Sequence, residues 1–327
     1  MSQSNNKYFQ IRPIAQVIED GRKAKPRRKL IGAFIYEDTN TYFYAPPNYG
    51  KSMAVFQFAY AAATGTNVAN CTAMINECEP KIVLAVDLEM DAQTLYERHE
   101  AVIRSTDPEL LKNLIYLHEP VGEKPLFNYD LLQKILDIAL DTKAQLIIID
   151  NISKLLPDLL KADDVTRFIE FLNRMRLQTG SSIVIIAHTI KFNPRIAVLP
   201  NSFYGSSMIS NFFKEMFYLD QTRDGRFFLC HAKAKHKESY ITTVPVFTLG
   251  EHPLVGTGFS FQALMPLSDV QLPLSTMQQR QGRKNSLSKY HHELMIIEQA
   301  GIKRNIIAEI CDVERSTISK ILDKSLA

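Results

Sequence analysis

The sequence is poor in the features that mark secreted, zinc-binding or membrane proteins. Its four cysteines, Cys71, Cys78, Cys230 and Cys311, form no Cys-x-x-Cys pair and no His–Cys pattern at zinc spacing, which favours reduced, structural thiols. No apolar run approaches the roughly 20 residues of a membrane span. The first thirty residues are polar and basic, with Arg22, Lys23, Lys25, Arg27, Arg28 and Lys29, unlike a secretory leader. These absences predict a soluble cytoplasmic protein without a membrane partner. Net charge is scarce too: +3 is too small to argue by itself for a nucleic-acid partner. What is present is 327 residues with 46% hydrophobic content, room for one large α/β domain and a small appendage.

The chain is organised around TYFYAPPNYGKS, Thr41 to Ser52. Tyr42, Phe43 and Tyr44 read as a short buried strand, Pro46, Pro47, Asn48 and Gly50 as a turn, and KSMAVFQFAYAAA as a helix. Strand, turn and helix in that order bring unpaired backbone N–H groups and a positive helix end to one point, which suits a polyphosphate. The stretch approaches the P-loop pattern G-x-x-x-x-G-K-[ST], so Ala45, Pro46, Pro47, Asn48, Tyr49, Gly50, Lys51, Ser52 and Met53 are the candidate ATP cradle. Lys51 is placed to reach the β- and γ-phosphates, and Ser52 to hold Mg2+. Ala45 stands where the first glycine belongs, which requires a negative φ there. A bare Gly-Lys-Ser is more often an ordinary turn; the flanking elements and the downstream motifs argue otherwise.

Residues 1–29 read as a basic arm with a short amphipathic piece, IRPIAQVIED, which packs on a neighbouring subunit or touches phosphates, or equally is a solvated tail. The main domain is expected over 30–265. Leu30–Tyr36 reads as an edge strand before the phosphate turn, and Thr64–Pro80 as an exposed connection. KIVLAVD (81–87) is a strand covered on both faces that delivers Asp87, Glu89 and Met90 at its C-terminal end, where a parallel sheet binds ligands. Asp91 is the expected N-cap of the next helix. Ile115–Leu117 gives a strand and Tyr129–Leu140 a helix. QLIIID (145–150) ends in Asp150, a Walker B arrangement in which a carboxylate sits beside the metal; taken alone, it is equally a core strand ending in a helix-capping aspartate. After a helix over Asp164–Leu177, SIVIIAH ends in His188, placed to contact the γ-phosphate or the attacking water. The connection 189–207 carries Lys191 and Arg195, and loops of that length are usually functional or disordered. MFYLDQ and RFFLCHAKAKHK predict a hairpin turning at Asp224–Gly225. Lys233, Lys235 and Lys237 would then project from one face, solvated or reaching the ATP of the adjacent subunit.

Residues 266–287 read as a linker, with Arg280, Arg283, Lys284 and Lys289 nearby and affinity for phosphates. Residues 288–327 read as a small helical unit, with a first helix from Ser288 to Gln299 and then helix, short turn and helix. In a helix-turn-helix, Ala308 would lie at the helix crossing, Val313 would plug the turn, and Ile318 and Leu322 would face inward. Arg315, Ser316, Thr317, Ser319 and Lys320 would meet a major groove. A three-helix protein-interaction bundle is the other reading.

The order of elements resembles the RecA-like ATPases, in particular the branch holding DnaB-type replicative helicases and RepA-type hexameric helicases, from about Leu30 to Phe247. DLEMDAQTLYER is similar to the SLEM-type motif of those helicases, IIIDN to Walker B, IIAH to the sensor strand, YGSS (Gly205, Ser206, Ser207) to the Gly-Ser segment, and CHAKAKHK to the hairpin that supplies trans-acting fingers. The resemblance implies a doubly wound α/β RecA-like fold, with Glu89 as general base and Lys51, Asp150 and His188 beside it. It also implies ATP and Mg2+ as cofactors, with Ser52 and Asp150 on the metal. Lys233 or Lys235 becomes the trans finger, although a lysine at Lys235 replaces the family's arginine and lacks its bidentate fork. A head-to-tail homo-oligomer, a hexameric ring, is expected, with single-stranded DNA in a channel lined by Lys191 and Arg195 and duplex DNA at the helix-turn-helix. The family's helical N-terminal domain has no counterpart here, and the C-terminal unit is an addition. An ATP-hydrolysing DNA motor is the leading expectation. A DNA-bound regulatory or loading ATPase that does not unwind is the second.

Overall fold

Runs such as VLAV, LIII and IVIIA have no polar face to offer water, so they fold only where both sides of a sheet are covered. The computed structural model describes residues 12–118, 128–156, 161–189, 197–203, 205, 208–236, 238–252, 256–272, 291–299, 302–310 and 315–323. The chain first forms helix α1 (Ile14–Lys23), strands β1 (Lys29–Ile31), β2 (Ile35–Tyr36) and β3 (Asn40–Ala45), and helix α2 (Lys51–Thr64). It continues through β4 (Val83–Asp87), α3 (Ala92–Ser105), α4 (Pro108–Leu111), β5 (Leu114–His118), α5 (Asn128–Thr142), β6 (Leu146–Asp150), α6 (Ala162–Thr179) and β7 (Ser182–His188). There follow α7 (Met208–Phe212), β8 (Glu215–Gln221), β9 (Phe227–Lys233), β10 (Thr243–His252), β11 (Gly256–Pro266) and α8 (Leu267–Val270). Three last helices are α9 (His291–Gln299), α10 (Arg304–Ile310) and α11 (Arg315–Leu322).

Nine strands form one sheet in the order β11-β10-β9-β8-β3-β7-β6-β4-β5. From β8 to β5 neighbours run parallel, while β9, β10 and β11 add an antiparallel wing. The two-residue period of a strand sends Tyr42, Tyr44, Ile147 and Ile185 to one face, against Leu132 and Ile135 of α5 and Phe168 and Leu172 of α6. Phe43, Ala45, Ile148 and Val184 go to the other, against Ala54, Phe58 and Ala62 of α2. Helices on both faces of a parallel core make a doubly wound, RecA-like α/β fold. Helix α2 is buried along nearly its whole length, because it packs both on strands of the parallel core and on β11 of the antiparallel wing.

Three expectations need correction. Leu30–Tyr36 is not an edge strand of the sheet: β1 and β2 pair with each other in a separate two-stranded sheet. Gly32, at φ +47°, turns the chain where a Cβ would lie 2.8 Å from the Met74 Cα. That turn sets Phe34 against the rings of Phe217, His231 and Tyr240, a packed aromatic cluster in place of strand continuation. Thr64–Pro80 is not an exposed connection. Val68, Ala69, Cys71, Met74 and Cys78 are buried, and Asn76 stitches the segment by donating from Nδ2 to the Ala61 carbonyl at 3.2 Å. The lysine alternation also fails, since β9 ends at Lys233 and Lys235 lies beyond it; Lys237 is outside the described residues.

Within the basic arm, α1 has no buried residue. The sheet runs past residue 265, with β11 ending at Pro266 and Val270 of α8 buried. The last three helices enclose a small core of Leu294, Ile307, Ala308, Ile318, Ile321 and Leu322. Ala308, Ile318 and Leu322 are buried in that core, while Val313 lies outside the described residues.

Candidate active site

Ala45 is the last residue of β3 and pairs in register with His188 of β7. It remains in strand conformation, so the position of the missing glycine makes no demand for a positive φ. Asn48 and Gly50 meet that demand instead, at φ +63° and +76°. Asparagine and glycine are the residues that enter this region most easily. Gly50 also lies beneath the antiparallel wing, where a Cβ would meet Phe259 Cζ at 2.9 Å and Leu249 Cδ2 at 3.1 Å. Pro46 and Tyr49 are buried, Pro47 and Asn48 exposed, and Ser52 and Met53 half-buried.

Helix α2 begins at Lys51 with no side-chain cap and no acid in its first turn. Its leading N–H groups have no partner within the helix, and they meet the positive end of the helix dipole. An uncapped, acid-free helix start preceded by a tight turn fits an anion such as a polyphosphate. Lys51 Nζ lies 2.9 Å from Asp150 Oδ1, and the two side chains are only 6% and 5% exposed. Burial pushes the Asp150 carboxyl above its ordinary value, Lys51 pulls it back, and the negative charges of Asp87 and Glu89 add to the rise.

β7 lies between β3 and β6, so the phosphate turn and Asp150 face each other across one strand. β4 lies on the other side of β6, with Asp87 in register with Asp150. Asp87 Oδ1 accepts from the backbone N–H groups of Glu89 and Met90 at 2.9 Å each, and the Tyr116 hydroxyl donates to Oδ2 at 3.2 Å. These bonds bend the chain so that Glu89 projects over the strand ends. The Glu89 Oε1 accepts from the Asn151 amide and lies 4.0 Å from His188 Nε2, with 44% and 37% of the two side chains exposed. His188, then Lys51 and Asn151, hold the Glu89 carboxyl below its ordinary value against the opposing effect of burial. A carboxylate kept ionised beside a ring and a lysine has the chemistry to orient a water molecule. Asp91 caps α3 by accepting from Thr94 N at 2.7 Å, as its place predicted. Arg98 Nη1 donates to Met90 Sδ at 3.0 Å, so α3 holds the residue next to Glu89.

Lys51, Glu89, Asp150 and His188 are thus brought together, with Ser52 following Lys51 in the first turn of α2. Ser52 and Asp150 offer the oxygen ligands that magnesium takes alongside phosphate and water. Lys191, Arg195, Ser206 and Ser207 lie outside the described residues. Lys233 Nζ donates to the Ser210 carbonyl of its own chain, and Lys235 is exposed. On α11, Arg315 and Ser316 are exposed and Ser319 is half-buried; Thr317 and Lys320 share that helix, their side chains outside the description. Sequence reasoning stopped at Asp150 and gave no role to Asn151, the next residue. Its one available signal was an amide at the tip of a strand already assigned to the site.

Among the described residues no helix is long and apolar enough to cross a membrane. The AAA domain family matches residues 9–193, more than half of the chain. Among solved structures, a KaiC-like protein of the hyperthermophilic archaeon Pyrococcus horikoshii OT3 superposes with a TM-score of 0.50 at 16% identity. The match covers 73% of this chain and 100% of the archaeal one, a likeness of fold. No curated protein matches the chain. With the phosphate turn, its lysine and the carboxylate strand all standing where a RecA-like sheet puts them, the chain belongs to the AAA domain family and is a RecA-like P-loop ATPase.

Proposed function

We propose that this ATPase is a DNA-associated motor working as a homo-oligomer, a helicase or translocase of the DnaB and RepA kind. The observation that carries the reading is the convergence of Lys51, Asp150 and Glu89 at neighbouring strand ends, with Glu89 free to reach solvent and Lys51 and Asp150 closed to it. Lys51 and the first N–H groups of α2 would hold the phosphates of ATP, and Ser52 and Asp150 would hold Mg2+. When bound, the metal neutralises phosphate charge. Glu89 orients the attacking water and accepts its proton, and His188 stands beside it on the next strand but one.

Support for the helicase branch comes from the sequence, through DLEMDAQTLYER and the order of motifs. Of the two candidate fingers, Lys235 suits a neighbouring protomer better, because Lys233 is engaged with Ser210 of its own chain. A finger supplied in trans requires a head-to-tail interface, which closes into a ring or runs on as a filament. Single-stranded DNA would then contact the 189–207 connection at Lys191 and Arg195.

The second reading, a DNA-bound regulatory or loading ATPase, is favoured by the C-terminal helices. Their closed core of Ile307, Ala308, Ile318 and Leu322 leaves Arg315 and Ser316 outward at the start of α11, where a recognition helix contacts bases. A fork-displacement assay separates the two. ATP-dependent strand separation is the outcome expected of a motor. DNA-stimulated hydrolysis without separation, with a sequence-specific footprint, is the outcome that replaces it with the regulator.

A further inference from the structure

Asn151 follows Asp150 at the tip of β6, between β4, which carries Glu89 into place, and β7, which ends in His188. It is fully buried, at 0% exposure. Its Oδ1 accepts from the Ser153 backbone N–H at 2.8 Å and from the Ser153 hydroxyl. Two donors on that oxygen fix which way round the amide sits, because the other orientation would set N–H against N–H. Nδ2 therefore points at the site, where it donates to Glu89 Oε1 and lies 3.4 Å from His188 Nε2. An amide nitrogen carries two hydrogens. With the first given to the carboxylate, the second faces His188 Nε2, which accepts it in the neutral tautomer that carries the ring proton on Nδ1. His188 Nδ1 is itself buried without a hydrogen-bond partner among the described residues.

We infer that Asn151 is a positioning residue for hydrolysis: its amide clasps the Glu89 carboxylate with one hydrogen and the His188 ring with the other, tying the base and the ring into one unit. The inference rests on reading Glu89 as the base. Glu89 is nearly half exposed and would otherwise be free to swing into solvent. Ser153 holds the amide from behind, so the clasp is a built feature rather than a passing contact. Placement of this kind matters because a displacement of about 1 Å of a reacting group lowers a rate by about a hundredfold.

The test has two independent parts, both on the full chain. In the nucleotide-free protein at alkaline pH, nitrogen-15 NMR of the imidazoles reads which ring nitrogen of His188 bears the proton, with the signal identified by its loss in His188→Gln. The expected result is a proton on Nδ1 in the native chain and on Nε2 in Asn151→Ala. In turnover, Asn151→Ala and the same-shaped Asn151→Asp, which cannot donate, are expected to lower kcat at least about tenfold. Affinity for a fluorescent ATP analogue should be nearly unchanged in both. Should Asn151→Ala not fold, Asn151→Asp and the native tautomer carry the test. A native His188 protonated on Nε2, or Asn151 variants that turn over at the native rate, would overturn the inference. Glu89→Gln separates the two levels. If it abolishes turnover while the Asn151 variants remain fast, only the clasp falls; if it hydrolyses ATP normally, the assignment of the base falls and takes the clasp with it.

Discussion

Lys51 and Asp150, 99 positions apart in sequence, meet as a 2.9 Å ion pair almost closed to water. Neither charge would remain there alone. Removing charges from water is costly, and truncating one partner of such a pair leaves the other uncompensated, at about 3–5 kcal/mol. The first prediction is that Lys51→Ala abolishes ATP turnover and also lowers the urea stability of the nucleotide-free protein. Asp150→Asn does the same to a smaller degree, since a neutral amide still meets the lysine. Lys51→Ala combined with Asp150→Asn loses less stability than the sum of those two single changes. Additive losses in this cycle would show that the pair does not interact.

The phosphate turn puts its positive-φ demand on Asn48 and Gly50 rather than on Ala45. Ala45→Gly, although it restores the usual glycine, is therefore expected to leave nucleotide affinity unchanged and to cost about 0.5–1 kcal/mol in the strand. Gly50→Ala introduces a Cβ against Phe259 and forces a left-handed alanine, itself a penalty of about 1–2 kcal/mol. It should lose both stability and nucleotide binding. Tighter binding in Ala45→Gly, by fluorescence titration, would contradict this account of the turn.

Asp220 is fully buried at the end of β8, with one oxygen accepting from Val198 N and the other from Gln221 N, at 2.8 Å each. Burial pushes its carboxyl up to about 7, against the pull of those two N–H groups. Its folded pKa lies above the unfolded value of about 3.9, so its contribution to stability is fully present below about pH 4 and is lost as pH rises through about 7. His231 runs the other way. Burial lowers it to about 4, opposed by the Ala33 carbonyl, so its contribution is present above about pH 6.5 and is lost as pH falls through about 4. The two slopes oppose each other in the native chain. Asp220→Asn removes one of them, so the stability of the variant relative to native should rise between pH 4 and 7, by up to about 4 kcal/mol. A difference independent of pH, measured by urea denaturation, would contradict the assignment.

The strands of the parallel core were legible because each is a continuous apolar run, and the phosphate turn because its chemistry is local. Asp91 as an N-cap was legible for the same reason. The hairpin of β10 and β11 was not, because Pro245, Gly250, Gly256 and Gly258 give it the composition of a loop and its strands exist through pairing with each other. It is further held by Gln57 of α2, whose side chain donates to the Phe259 carbonyl and accepts from the Phe259 N–H, both at 2.8 Å. That contact spans 202 residues and leaves no trace in any window of sequence. The clasp at Asn151 was hidden likewise, since it needs the order β7-β6-β4 to bring His188 and Glu89 to either side of one amide.

For the C-terminal unit, deletion of residues after 285 is expected to abolish any sequence-specific footprint on duplex DNA while leaving basal ATP hydrolysis within about twofold, as the candidate site residues all lie between Ala45 and His188. An unchanged footprint would remove α9, α10 and α11 from DNA recognition.

The central claim is that Glu89 performs the chemistry on a nucleotide gripped at Lys51, and the most direct measurement compares binding and turnover of ATP in Glu89→Gln. The account predicts affinity within about threefold of native and a kcat reduced by about a hundredfold or more. Hydrolysis at the native rate by Glu89→Gln would contradict it.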